Sequence, residues 1–331
     1  MIDYSAFFPP ELQRAESPPT LERFHAGVGL MSVKRYANRS ARAKVVVLHG
    51  GGGGNSALLA PAAVILHRVG YEAVAPDLPG FGDSPAPTNW LYDAWVSAVV
   101  ALVDRERSRD DRPIVLMGAS LGGMLAYHVA AELAARGEPV TGILATTLCD
   151  TTLPIVREQF ARWPWLGRFG VPLLLRAARV FPKLRMPMRW LANMNAIAND
   201  PALARAIASD PTGGGNRVSL EFLASLFRYE PALSPERYTA SEVILAHPAA
   251  DRWTGVEASL PFFERLACTK KLVMLENCGH CPIEQPGMET LMREASGLLE
   301  RVSSGPSTSP STRFAQREIR HRRNGANDTQ Q

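Results

Sequence analysis

The chain has 331 residues, is 46% hydrophobic and carries a formal net charge of +4, enough apolar length to bury a substantial core without staples. Four cysteines (Cys149, Cys268, Cys278, Cys281) are too few for a disulfide framework, and no apolar run reaches the roughly 20 residues of a spanning helix, which speaks against an integral membrane protein. The basic balance does not point to nucleic acid: in residues 302–331 five arginines against Glu318 and Asp328 account for +3, leaving +1 for the first 301 residues.

Met1 to Pro10 shows no basic stretch followed by an apolar one, so no secretory signal is expected and the reducing cytoplasm is the expected compartment. Residues before Ala41 predict an edge hairpin with "GVGLMSVKRYA" as one strand. Short β-branched runs then alternate with helical patterns: "AKVVVLHG" to Gly50, "YEAVAPDL" to Leu78, "RPIVLMG" to Gly118, "EPVTGILAT" to Thr146, "SEVILAH" to His247 and "KKLVMLENCG" to Gly279. Continuous apolar runs suit strands buried on both faces. With helices over Trp90 to Arg107 and Leu121 to Arg136 between them, they predict an α/β fold with a mostly parallel sheet.

Between Cys149 and about Tyr238 the strand rhythm stops, and helical patterns broken by prolines and "TGGGN" take over. This predicts a helical cap inserted after the sixth strand. The expected division is residues 1–148 as the first part of the core, 149–238 as the cap, 239–301 as the second part and 302–331 as a disordered, Ser/Thr/Pro-rich basic tail.

"IVLMGASLGGM" holds the most informative motif. Gly118, Ser120 and Gly122 form G-x-S-x-G directly after a strand and before a helix, the context of a nucleophile elbow. Helix entry at Leu121 aims unpaired N–H groups at charge developing on a bound carbonyl oxygen; the plainer reading is that Ser120 only caps the helix. In "VVVLHGGGGNS" a strand ends at His49 before four glycines, similar to the H-G-G-G loop that supplies a second oxyanion donor, here Gly51 or its neighbour Gly50. The same glycines could form a phosphate nest, but no Gly-Lys-Ser/Thr follows. His49 is expected to brace the loop.

With "PDLPGFGDS" (Pro76 to Ser84) added, the chain resembles the α/β-hydrolase family with a helical cap, over residues 42–301. The resemblance implies carboxylesterase or lysophospholipase/monoacylglycerol-lipase-like activity, with Asp77 and Ser84 structural. A serine hydroxyl needs a base, and the base a partner that fixes its tautomer; in this fold their chain order is Ser, Asp or Glu, His. Asp251 follows one strand in "VILAHPAADRW" and His280 the next in "ENCGHCPIEQPG". Cys278 and Cys281 form C-x-x-C around that histidine, but a redox pair belongs near a helix start and a zinc site needs two further ligands. His280 is therefore read as the base. Asp150 in "TTLCDTT" is the alternative acid, or else a cap-hinge residue.

Residues 157–190 carry seven arginines and Lys183 against Glu158, interleaved with Trp, Phe and Leu. Two readings stay open. The cap docks peripherally on an anionic lipid surface, or it is an ordinary amphipathic cap with solvated arginines and its apolar side on the core. Either way an apolar pocket points to a small-molecule ester with a hydrophobic, lipid-like acyl group. The expected activity is serine ester hydrolysis by Ser120, His280 and Asp251, without metal or organic cofactor and without a nucleic-acid partner. Ser rather than Asp at the elbow argues against dehalogenase and epoxide hydrolase chemistry. C–C bond hydrolysis, cofactor-free perhydrolysis, a lipid-surface module and a non-catalytic ligand-binding relative remain alternatives. Acyl length, alcohol and oligomeric state are left open.

Overall fold

Four apolar runs, buried along their whole length, make the middle of one eight-stranded sheet. The computed structural model describes residues 2–13, 18–51 and 53–304. The first part holds β1 (Thr20–His25), β2 (Leu30–Tyr36), β3 (Ala43–Leu48), α1 (Ala60–Arg68), β4 (Tyr71–Pro76), α2 (Tyr92–Arg109), β5 (Ile114–Gly118), α3 (Leu121–Ala135) and β6 (Gly142–Ala145). A helical segment follows, with α4 (Pro154–Phe160), α5 (Val171–Val180), β7 (Arg185–Pro187), α6 (Met188–Leu191), α7 (Pro201–Ser209), β8 (Arg217–Ser219) and α8 (Leu220–Leu226). The sheet resumes with β9 (Glu242–Pro248), α9 (Leu260–Phe263), β10 (Lys270–Leu275) and α10 (Gly287–Ser304).

The strand order is β1-β2-β4-β3-β5-β6-β9-β10. β2 runs antiparallel to both β1 and β4, and from β4 to β10 every pairing is parallel. Parallel neighbours require crossovers, which α1, α2, α3 and the helical segment supply. α2 packs with α3, and α1 with α10, so the sheet is covered by helices. All six sequence-predicted runs are strands, and the edge hairpin is present.

Three details differ from expectation. β10 is exposed at four of its six residues rather than buried on both faces, as an edge strand can be. β7 and β8 form a short antiparallel ribbon inside the helical segment, each too brief to leave a periodic signal. α10 runs to Ser304, so the expected tail from residue 302 begins inside a helix; its remainder, 305–331, lies outside the described residues.

Beneath the sheet lies a buried ionic cluster. Fully buried Lys44 of β3 bonds Asp110 at 2.9 Å and approaches Glu106 at 3.4 Å, while Arg35 of β2 binds Glu106 (2.5 Å), Glu22 (2.8 Å) and Glu72. Arg112 completes the cluster on Glu72 and Asp110, both at 2.8 Å. Lys44 and Glu72 are the second residues of their strands. The cluster therefore sits at the strand starts, away from the carboxyl ends where sites collect in such sheets.

Candidate active site

β5 ends at Gly118 and α3 begins at Leu121, so the chain reverses within two residues, with Ser120 at the apex. Ser120 has φ 56° and ψ −134°, a left-handed conformation that costs on the order of 1 to 3 kcal/mol outside glycine and persists only where the surroundings impose it. Those surroundings are backbone. A Cβ on Gly118 would stand 2.0 Å from the Gly122 carbonyl oxygen, and one on Gly122 2.2 Å from that of Leu48. The turn closes only because both lack side chains. Ser120 N–H donates to Thr146 Oγ1 (3.1 Å) and Thr147 Oγ1 donates to the Ser120 carbonyl (2.8 Å). The Ser120 hydroxyl makes no capping bond to α3, which sets aside the reading of it as a mere cap.

The glycine loop after β3 lies directly against this turn. A Cβ on Gly50 would be 3.2 Å from Ser120 Oγ and 3.1 Å from Leu121 N, and one on Gly51 would meet Trp95 and the Leu121 side chain. Leu121 is the first residue of α3, whose N–H has no intrahelical acceptor. His49 braces the loop as expected: its Nε2 accepts from Leu78 N–H (2.9 Å), so Nδ1 carries the proton and donates to the Gly50 carbonyl (3.0 Å). A second brace was not foreseen. Asn55 accepts from the N–H groups of Ala57 and Leu58 and donates to buried Asp210 at 2.9 Å, where Tyr4 also donates (2.8 Å). Nothing in the sequence pairs these three residues, which are brought together only by tertiary packing.

Asp251 and His280 come from the loops after β9 and β10. Asp251 Oδ2 lies 2.8 Å from His280 Nδ1, and both side chains are buried. Oδ1 accepts from the N–H groups of Trp253 (2.7 Å) and Thr254 (3.0 Å), and Thr254 Oγ1 donates to Oδ2 (2.8 Å). Burial alone would raise the Asp251 carboxyl; the facing His280 and these donors outweigh it and hold the group below the ordinary carboxylate value. Thr254 was missed by sequence reading, though its place three residues after an aspartate, in a loop following a strand, is a readable signal. Asp150 is engaged elsewhere: its Oδ1 accepts from Thr152 N–H (2.9 Å) and Thr152 Oγ1 (2.6 Å).

The two halves meet in one cleft of about 50 Å³, lined by Ser120, His280, Gly50, Leu58, Ile197 and Trp253 among others. The Trp253 ring packs on His280 at 4.8 Å. His280 Nε2 is buried and has no hydrogen-bond partner among the described residues. The neighbouring thiols take no part as thiolates: burial pushes Cys278 and Cys281 up to about 12. Cys278 Sγ donates to the Glu284 carbonyl at 3.1 Å, and the Glu284 carboxylate accepts from Gly279 N–H at 3.1 Å. Glu284 thus holds the loop that presents His280.

Three other histidines matter for stability. Burial lowers His49, His247 and, to about 3, His128. The unfolded chain then binds protons first as pH falls, so the stability of these neutral rings is present above about pH 6.5 and drains away below it, for His128 by about 1.4 kcal/mol per pH unit. Urea unfolding is expected to show a steep fall in stability between pH 6.5 and 5, shallower by one proton in His128→Gln; a flat profile would contradict it.

The profile of the alpha/beta hydrolase family matches residues 45–291. Lipase LipV of Mycobacterium tuberculosis is 35% identical over 119 residues, 34% of this chain; the chain spans 40% of the length of that curated relative. Among solved structures, the monoacylglycerol lipase of Paleococcus ferrophilus superposes with a TM-score of 0.60 at 21% identity, covering 85% of this chain and 99% of that one. A soluble variant of the Saccharomyces cerevisiae monoglyceride lipase, in complex with a substrate analog, gives 0.68 at 15%, covering 89% and 98%. At such identities these two show a shared fold.

Proposed function

We propose that this chain, which belongs to the alpha/beta hydrolase family, is a serine hydrolase of carboxylic esters working through an acyl-enzyme. One observation carries the reading. The Asp251–His280 pair leaves a buried, unpartnered Nε2 in the cleft that also holds Ser120. Ser120 Oγ attacks the ester carbonyl carbon as its proton passes to Nε2, and the negative charge gathers on the carbonyl oxygen, facing the N–H groups of Leu121 and of Gly51 or Gly50. Collapse expels the alcohol, which takes the proton back from Nε2. Water then attacks the acyl carbon and gives its proton to Nε2, which passes it to Ser120 Oγ as the intermediate collapses and the acid leaves. Asp251, held ionised, fixes the tautomer and stabilises the imidazolium.

In this reading residues 149–238 are a cap over the turn, between core parts 1–148 and 239–301. Its Ile197 joins Leu58, Leu59 and Trp253 in an apolar lining, which suits a hydrophobic acyl group, and the monoacylglycerol and monoglyceride lipases among the structural relatives agree with it. A space of about 50 Å³ holds only a few waters, so an acyl chain enters by displacing side chains of the cap. A fluorophosphonate probe is expected to label wild type and leave Ser120→Ala unlabelled, with p-nitrophenyl ester hydrolysis down by at least about 10³-fold in the variant. A folded wild type that neither labels nor hydrolyses any ester from two to sixteen carbons would overturn the reading.

A further inference from the structure

Amphipathic surface helices turn apolar residues inward and polar ones out. α5 departs from this. Its Val171, Leu174, Leu175 and Ala178 face inward at helical spacing, yet Leu173 and Val180 lie on the opposite side, 67% and 69% exposed, with Arg176 between them. The same stretch exposes Trp165 (60%) and Phe169 (68%). Of the 13 large hydrophobic residues exposed among the described residues, nine fall between Ile155 and Trp190. The concentration is not a scatter of single surface residues, which would need no explanation.

Charge shares the same surface. Between residues 157 and 190 seven cations are exposed against the single acid Glu158, whose 4.0 Å approach to Arg168 is the stretch's one ion pair among the described residues. Arg162 lies over the Trp163 ring at 4.8 Å, and Trp163 stacks on Trp165 with planes 10° apart. The bond from Arg162 N–H to the Leu191 carbonyl (2.9 Å) and the bridge of Ala161 to Ala192 bring the Trp163 and Trp190 stretches together. The inward side of the segment packs on the core as an ordinary amphipathic cap does, with Leu174, Leu175 and Ala178 against it; the exposed apolar residues on the other side are what that description leaves over.

We infer that the face formed by residues 162–190 docks on an anionic lipid surface. Exposed Trp, Phe and Leu enter the headgroup and acyl boundary, and arginines around them meet lipid phosphates and carboxylates. A second copy of the chain fits poorly, since an isologous contact would set this cationic face against itself. Residues 305–331 are also basic and offer no complementary charge. The inference rests on surface chemistry and is read without turnover, so its failure and that of the ester reading are told apart.

The test is co-sedimentation of the full chain with vesicles of phosphatidylcholine alone or containing 30% phosphatidylserine. Wild type is expected to partition at least tenfold more strongly to the anionic vesicles, and to lose most of that advantage in about 0.5 M salt. F169S/L173S/V180S is expected to bind at least tenfold more weakly while hydrolysing a short soluble ester at the wild-type rate. Three results would overturn the proposal: equal binding to both vesicles, wild-type binding by the triple variant, as when the arginines beyond residue 310 do the work, or self-association of wild type that the triple variant abolishes.

Discussion

Asp251→Asn is expected to lower kcat on a soluble ester by about 10⁴-fold with the fold intact. The loss follows from one hydrogen bond. Asp251 Oδ2, 2.8 Å from His280 Nδ1, accepts a hydrogen bond from the proton that Nδ1 keeps, which leaves Nε2 free to take another. An asparagine amide turned by Trp253 and Thr254, whose N–H groups hold Oδ1, presents NH₂ to Nδ1, favours the other tautomer and removes the charge that stabilises imidazolium. Asp150→Asn is expected to change kcat by less than about threefold, because Asp150 is occupied by Thr152. Steady-state kinetics of both variants decide the matter; the reverse pattern would make Asp150 the acid.

The second large effect falls on stability. Glu106→Ala strips Arg35 of its 2.5 Å partner and leaves the ammonium of Lys44, wholly buried, with Asp110 as its remaining carboxylate. Removing one member of a buried ionic set strands charge in a medium that solvates it poorly, at a cost of about 3 to 5 kcal/mol. In a chain of this size that lowers Tm by roughly 4 to 7 °C. Thermal unfolding would show it, and a loss below about 1 kcal/mol would mean that water reaches the cluster. Arg109→Ala, on the exposed rim of the same cluster, is expected to cost under about 1 kcal/mol.

Much of this architecture was readable because local signals and global fold agree. The strand-turn-helix around Ser120 is written in adjacent residues: a branched apolar run, small residues where backbone meets backbone, then a helical pattern. Asp251 and His280 could be paired because each follows its own strand. The cluster under the sheet was not read, although Lys44 inside "AKVVVL" is a charge in a run otherwise built for burial, the kind of local conflict that marks a special site. The partners Glu22, Glu72, Glu106 and Asp110 lie up to 88 residues apart, and only the sheet order makes them neighbours. Likewise a pattern of Trp, Leu and Arg fits both a core-facing and a solvent-facing helix, and exposure of Leu173 and Val180 had to be seen.

The glycine loop beside the Ser120 turn is tethered through its neighbour Asn55 to Asp210, which lies 155 positions from Asn55 and 206 from Tyr4, the third member of the knot. Contacts between chain neighbours form early in folding, and those that close long loops arrive late. During refolding, then, the knot of Asn55, Asp210 and Tyr4 is expected to close late. On the proposed mechanism, ester hydrolysis is therefore expected to return later on refolding than the bulk of the secondary structure.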